Sequence, residues 1–216
     1  MATTYTIQPG DYLAQIAESH GFFDMQTIWQ HAENAALRAK RDNPNVLLPG
    51  DKLHIPDKVQ RIETKPTDQA HRFTVKRSKN LLRLVLEDLY GKPVAHANCE
   101  LTVDGKVYPV VSGGDGKIEQ AIPLKASQAQ LTVKDGETAL KGVTLEIQIG
   151  HLDPVAERSG QVARLSNLGY FLGALDADDA VAFKSAVEEF QCDHGLTVDG
   201  DCGGQTQAKL LSVHGC

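Results

Sequence analysis

Four cysteines and two histidines near three of them are the residues of this 216-residue chain best suited to chemistry. Cys192, Cys202 and Cys216 gather with His194 and His214, while Cys99 stands apart. Thiolate and imidazole are the ligands zinc prefers, but the spacing matches no standard finger, and no metal is assigned. A disulfide is the second reading: Cys202 paired with either Cys192 or Cys216 would pin a loop and contribute about 2 to 3 kcal/mol. Free thiols are the third. A Cys close to a His also suits nucleophilic catalysis. Here Ser212-Val-His-Gly-Cys216 has little chain around it from which to build a pocket, so no catalytic residue and no cofactor are assigned.

The remaining polar signals have plainer readings. Asp115, in Gly113-Gly-Asp-Gly116, and the acidic run Asp176-Ala-Asp-Asp179 carry cation-ligand chemistry, yet Asp in such settings serves turns and helix caps. Trp29 follows Met25 and Ile28 at helical spacing, which points to core packing. Cys99 falls on the inward phase of a strand, as a small buried apolar side chain. Apolar residues are 41% and charged residues 23%, ordinary for a globular protein, and the formal net charge is −6. That balance argues against a nucleic-acid partner, whose phosphates need clustered Lys and Arg. No apolar run approaches the roughly 18 residues that span a bilayer, so no membrane partner is expected. Met1 to Gly10 lacks a basic start and an apolar core, which reads as cytoplasmic synthesis without a signal peptide.

The elements that must hold these residues form three parts, a multidomain α+β chain. In residues 1–57, a short strand at Tyr5–Ile7 leads into Gln8-Pro-Gly-Asp11, with Asp11 placed to cap a helix. Leu13, Ile16, Ala17 and His20 share one face of that helix. Helical stretches from Asp24 and over Glu33–Arg41 follow, then a loop at Asn43-Pro-Asn45, a second turn at Leu48-Pro-Gly-Asp51 and a strand over Lys52–Pro56. Residues 58–71 read as a polar linker. In residues 72–150 the period changes to two: Leu82, Leu84 and Leu86, then Cys99, Leu101 and Val103, then Leu131 and Val133, then Val143, Leu145 and Ile147. Asp104-Gly105 and Asp135-Gly136 are hairpin signals, and the whole predicts an antiparallel β-sandwich of six or seven strands. In residues 151–216, helices are predicted from Val162, over Ala182–Gln191 and over Thr206–Val213. An echo at an offset of 23 residues pairs Leu175-Asp176 with Val198-Asp199, Phe183 with Thr206 and Val187 with Leu210.

Three resemblances rest on these residues. Tyr5-Thr-Ile-Gln-Pro-Gly-Asp11, Leu13, Ile16, Ala17 and Leu48-Pro-Gly-Asp-Lys-Leu-His-Ile-Pro56 resemble a LysM module, a βααβ unit. The resemblance implies a shallow groove for N-acetylglucosamine polymers between Gly10, Asp11 and Tyr12 on one side and Asn43, Pro44 and Asn45 on the other. Tyr12 is the aromatic contact in that reading. The longer helical stretch from Trp29 to Arg41 departs from the common pattern and is similar to LysM-like modules that act as structural glue in phage-tail-like machines. Leu84 to Val94 and Gly114-Asp-Gly-Lys-Ile118 resemble immunoglobulin-like or carboxypeptidase-regulatory-like sandwiches. Val162-Ala-Arg-Leu165, Leu168-Gly-Tyr170, Ala186-Val-Glu-Glu-Phe-Gln191, Gly195-Leu-Thr-Val-Asp-Gly200 and Gln205-Thr206 resemble the three-helix peptidoglycan-binding domain of cell-wall hydrolases. Its binding loops map to Asp176–Asp179 and Asp199–Thr206, with Asp199, Gly200 and Thr206 as glycan contacts. Gly203-Gly204 stands where that family usually has Gly-Pro.

The three modules in this order look like proteins that accompany type VI secretion spikes and related contractile injection systems. The resemblance implies a non-catalytic adaptor, with a secretion-spike protein or toxin effector and peptidoglycan as partners, and delivery to the periplasm by the contractile machine. The alternatives it leaves are a wall-targeting protein and a small cell-wall hydrolase effector.

Overall fold

The computed structural model describes residues 2–59, 62–74, 80–88, 90–135, 140–170 and 179–216. Among them are six α-helices and eight strands, the strands in three antiparallel sheets. The buried apolar side chains fall into three clusters, following the order of the chain.

The first cluster lies between a two-stranded sheet, β1 (Thr3–Thr6) against β2 (Lys52–Ile55), and three short helices. The helices are α1 (Leu13–Ser19), α2 (Gln26–Trp29) and α3 (Ala35–Lys40), the last preceded by a 3-10 turn at Ala32–Asn34. Leu13, Ile16 and Ala17 pack inward from α1, and Trp29 is buried with Ile28, Leu37 and Leu53. The two Pro-Gly-Asp turns are one device used twice. In each, the Asp amide donates to the carbonyl three residues back (Asp11 to Gln8, 3.1 Å; Asp51 to Leu48, 3.0 Å). The Asp carboxylate accepts from that same residue's amide in return, at 2.8 Å and 3.1 Å. Asp11 therefore closes its turn and does not cap α1; the cap position belongs to Tyr12, whose side chain makes no capping bond. The long stretch from Trp29 to Arg41 is tied down by Asn34. Its amide donates to Ile28 O and His54 O and accepts from the His54 amide, all at 2.8 Å.

The second cluster lies between two sheets. One pairs β3 (Asn80–Val85) with β6 (Lys117–Ile122), and the other runs in the order β5-β4-β7-β8. The latter holds β4 (Asn98–Val103), β5 (Lys106–Val111), β7 (Gln128–Val133) and β8 (Thr144–Gln148). Alternate residues face inward as the period of two requires: Cys99, Leu101 and Val103 from β4 meet Leu131 and Val133 from β7 and Ile118 from β6. Asp104 and Gly105, at φ of 45° and 82°, make the tight turn between β4 and β5. Asp135 accepts from the amide and side chain of Asn98, and Gly136 lies outside the described residues. Asp115 is a turn residue, accepting from the Lys117 amide at 3.2 Å and pairing with its ammonium at 2.7 Å.

The third cluster is helical: α4 (Arg158–Asn167), α5 (Ala180–Asp193) and α6 (Gly204–His214) bury Leu165, Phe183, Val187, Phe190 and Leu210. Each helix begins before its apolar run: α4 by four residues, α5 and α6 by two, because first-turn positions need no buried side chain. The sequence echo falls on buried sites, with Phe183 and Val187 on α5 matched by Thr206 and Leu210 on α6. Arg164 is fully buried and donates to Cys216 O (2.7 Å), Asp153 O and Gly160 O (both 2.8 Å), tying the entrance of α4 to residue 216. Of the acidic run, only Asp179 is described. It caps α5, accepting from the amides of Val181 and Ala182.

Candidate functional site

The loop between α5 and α6 is organised by one buried amide. Gln191 sits eight residues after Phe183 on the inward face of α5, where an apolar residue would be expected, and is 1% exposed. Its Nε2 faces Asp199 Oδ1 at 2.8 Å, Asp201 O at 3.0 Å and Thr206 Oγ1 at 3.0 Å. Its Oε1 accepts from the amides of Asp199 and Gly200, both at 3.0 Å. Asp199 Oδ1 also accepts from the Asp201 amide at 2.9 Å. That bond, and then the Gln191 amide, hold the Asp199 carboxyl below the usual carboxylate range. The result is an open cleft of about 170 Å³ between residues 196–201 and the start of α6 at Gly203–Thr206. One rim carries the carboxylates of Asp199 and Asp201. The other is the first turn of α6, whose residues Gly204–Thr206 line the opening and where Gly203 occupies the cap position, with no side chain satisfying the amides of the turn. Such a cleft offers both hydrogen-bond donors and acceptors to an amide-rich, hydroxylated ligand.

The other predicted site residues lie in the first unit. Asn43, Pro44 and Asn45 form a partly exposed turn in which Asn43 Oδ1 accepts from the Asn45 amide at 2.9 Å. Asp11 Oδ2 accepts from Tyr5 OH at 2.8 Å as well as from the Gln8 amide. Tyr12 is not open to a ligand: it is 4% exposed, and its hydroxyl meets Leu124 O at 2.6 Å and Ala126 O at 2.8 Å, in the second unit. Gly10 is beside it, against His151. The expected aromatic glycan contact is thus a contact between parts of the chain.

The helical unit has three helices, a polar hub at the end of the second and a Gly-rich loop before the third. Residues 162–210 match a known family, "Putative peptidoglycan binding domain". The matched segment runs from Val162 on α4 to Leu210 on α6 and contains the whole Gln191-organised cleft. Comparison with curated proteins found no match, and comparison with solved structures found none. Within this peptidoglycan-binding domain the structure brings Asp199, Gly200 and Thr206 together. Thr206 is buried and its hydroxyl is engaged by Gln191 and Asp201 O, so it shapes the loop, while Asp199 stays at the surface. Gln191 went unassigned as a site residue from sequence, although a polar residue at a buried helical phase was a legible signal.

The cysteines are not paired in the structure. Cys99 and Cys202 are buried free thiols, and Cys192 and Cys216 are exposed free thiols. Burial alone accounts for Cys99 and Cys202, and neither exposed thiol is joined to Cys202, so the disulfide expected at Cys192, Cys202 and Cys216 is absent. Cys216 Sγ lies 3.2 Å from His214 Nδ1, and His214 Nε2 lies 3.0 Å from Asn167 Nδ2. The pair has nucleophile geometry but not its charge. Burial pushes the Cys216 thiol up against the opposing effect of Arg164, and burial followed by Arg164 pushes His214 down. Both shifts favour neutral thiol and neutral imidazole. Among the described residues no group of three or more His, Cys, Asp or Glu is placed to hold a metal ion. No helix among them is long and apolar enough to cross a membrane.

Proposed function

We propose that this protein is a non-catalytic peptidoglycan-binding adaptor that engages the wall through the cleft at residues 191–206 and holds a protein partner through its first two units. The observation that carries the reading is the Gln191 hub: it shapes a solvent-open, donor- and acceptor-lined loop inside the segment that matches the peptidoglycan-binding family. The Asp199 carboxylate on that rim is anchored by amides and held below the usual carboxylate range, which suits binding and not proton donation. The resemblance of residues 1–57 to LysM modules, and of the three-part order to proteins of contractile injection systems, supports a secretion-spike protein or toxin effector as that partner. Use of Tyr12 for a contact within the chain supports a structural role for the first unit.

Sedimentation of the purified chain with isolated sacculi tests the wall-binding half. The expected result is saturable pelleting without release of muropeptides. Soluble muropeptides above background would replace the adaptor with a hydrolase, and no pelleting would remove the wall from its function. Co-purification with the spike subunit or toxin of the source strain tests the other half.

A further inference from the structure

The two sheets of the second unit are unequal. One has four strands and the other two, and among the described residues the smaller sheet does not fully cover β8 at the end of the larger. Leu145 stands opposite Leu131 on the inward face of β8, yet it is 38% exposed where Leu131 is 1% exposed. β3 ends the smaller sheet, and its inward Leu82 and Leu84 are only partly buried. These two edges border the same side of the sandwich. The Asn80 side chain, at the start of β3, hydrogen-bonds the Tyr12 hydroxyl. Gly150, two residues past β8, approaches the same ring, where a Cβ would lie 2.6 Å from Tyr12 Cδ1. The start of β3 and the end of β8 therefore lie together, and the two strands run in opposite directions.

Their backbones are also in phase. The Leu86 amide donates to Gly116 O, so by alternation Leu82 and Leu84 turn their backbone groups to β6, while Leu81, Arg83 and Val85 turn theirs to the open edge. The Ile149 amide donates to Ser127 O, so Thr144, Glu146 and Gln148 turn theirs to the open edge of β8. On both strands these residues have exposed, outward side chains, so the two edges can join as one continuous sheet. The other edges are managed differently. β6 lies against β5, and the same alternation puts Pro109 at the open edge of β5, where it has no amide to offer. Neither β3 nor β8 contains Pro.

We propose that two copies of this chain pair through these edges, β3 of each against β8 of the other, about a two-fold axis parallel to the strands. Charge sets the register. Arg83 opposite Glu146 of the second copy places Leu82 opposite Ile147 and Leu84 opposite Leu145 on the inward face, which covers the exposed Leu145. On the outward face Arg83, which meets Glu119 at 2.7 Å within its own sheet, then stands between two carboxylates. The two junctions use up both open edges of each copy, so the assembly closes at two. The pairing is independent of the wall-binding reading and adds to it, since a dimer presents two of the 191–206 clefts to one sacculus.

Sedimentation velocity of the full chain over a wide range of concentrations tests the pairing. The expected result is a 23.4 kDa species that passes to one of twice that mass and no further. Arg83→Glu and Glu146→Arg change exposed side chains and leave the core untouched. Each alone sets like charges at both junctions and should weaken dimerisation at least about tenfold. Mixed in equal amounts, the two variants restore opposite charges at both junctions and should dimerise like the parent. Leu145→Lys, which sets a charge in the apolar seam, should abolish the dimer. A parent chain that stays monomeric throughout would overturn the proposal. A dimer that all three variants leave unchanged would place the contact elsewhere, and a mixture no tighter than its components would refute the register. Masses growing beyond two copies would replace the closed pair with head-to-tail growth.

Discussion

Replacing Gln191 by Leu removes the amide that shapes the proposed binding loop while nearly conserving side-chain volume. The loss is at most four full hydrogen bonds: two N–H groups of Nε2 shared among Asp199, Asp201 and Thr206, and two accepted by Oε1 from the amides of Asp199 and Gly200. At about 1 kcal/mol net for each, the upper bound is about 4 kcal/mol. Asp199 and Asp201 are exposed, so water replaces part of what is lost there, and about 2 to 3 kcal/mol is the expected destabilisation of the helical unit. The readout can be confined to that unit. Helices α4, α5 and α6 hold most of the described helical residues, so far-ultraviolet circular dichroism follows them. The only Trp, Trp29, is buried in the first cluster and its fluorescence should stay unchanged. Urea titration followed by both signals should therefore show one shifted transition and one fixed. Sacculus pelleting should fall at least about tenfold even where the variant is folded, since a loop misplacement costing about 1.4 kcal/mol of binding is enough. A variant that loses less than about 1 kcal/mol and still pellets like the parent would refute the assignment of Gln191 as the organiser of the site.

Other outcomes follow from the same geometry. Asp51→Asn leaves the buried Arg41 guanidinium without the carboxylate that now meets it at 2.7 and 3.2 Å, and should destabilise the first unit by about 3 kcal/mol, read by Trp29 fluorescence. Burial pushes the Asp51 carboxyl up, but hydrogen bonds from Arg41, the Leu48 amide and Lys40 outweigh it and hold it below its ordinary value. The unfolded carboxyl titrates higher, near pH 4, so the stabilisation is complete above that and is lost as pH falls through the folded-state value. The Trp29 transition of the parent should weaken on acidification in that window, and that of Asp51→Asn should lose this component. Thiol labelling should find Cys192 reactive in the folded chain, Cys216 accessible but slowed by its raised thiol pKa, and Cys99 and Cys202 reactive only after unfolding. Burial, with Asp201 adding to it, pushes the Cys202 thiol up to about 11, which keeps it unreactive while the chain is folded.

Much of the frame was legible because it is set by local rules. The alternation through Cys99, Leu101 and Val103 required one buried face of a strand, and the Asp104-Gly105 pair supplied the positive φ its turn needs. The Pro-Gly-Asp repeats marked two turns correctly, although their Asp residues close the turns, with no cap made by Asp11. The resemblance of Val162–Leu165, Ala186–Gln191 and Gly195–Gly200 to the peptidoglycan-binding domain agrees with the family match over residues 162–210, and the echo between α5 and α6 fell on buried positions. Its first half, at Leu175-Asp176, lies outside the described residues.

The site itself was legible only in part. Asp199, Gly200 and Thr206 were named from the loop, but the side chain that assembles them was seen as one more residue of a helical face. A helical period says that position 191 is inward; it does not say that an amide there has five partners waiting on a loop eight to fifteen residues further on. The pairing of thiols failed for a related reason. Cys202 is turned into the core while Cys192 and Cys216 face solvent, and spacing carries no record of those directions.

Periodicity and turn chemistry thus determined by themselves an α+β chain that ends in three helices, since each depends on residues a few positions apart, while its peptidoglycan-binding type rested on the resemblance of its motif residues. Tertiary structure alone decided the fates of Tyr12 and Arg164. Tyr12 meets carbonyls of Leu124 and Ala126, and Arg164 holds Cys216 O, Asp153 O and Gly160 O. Backbone carbonyls belong to every residue type and leave no mark in a sequence, so a side chain that seeks one across the fold can be located only when the fold has brought the two together.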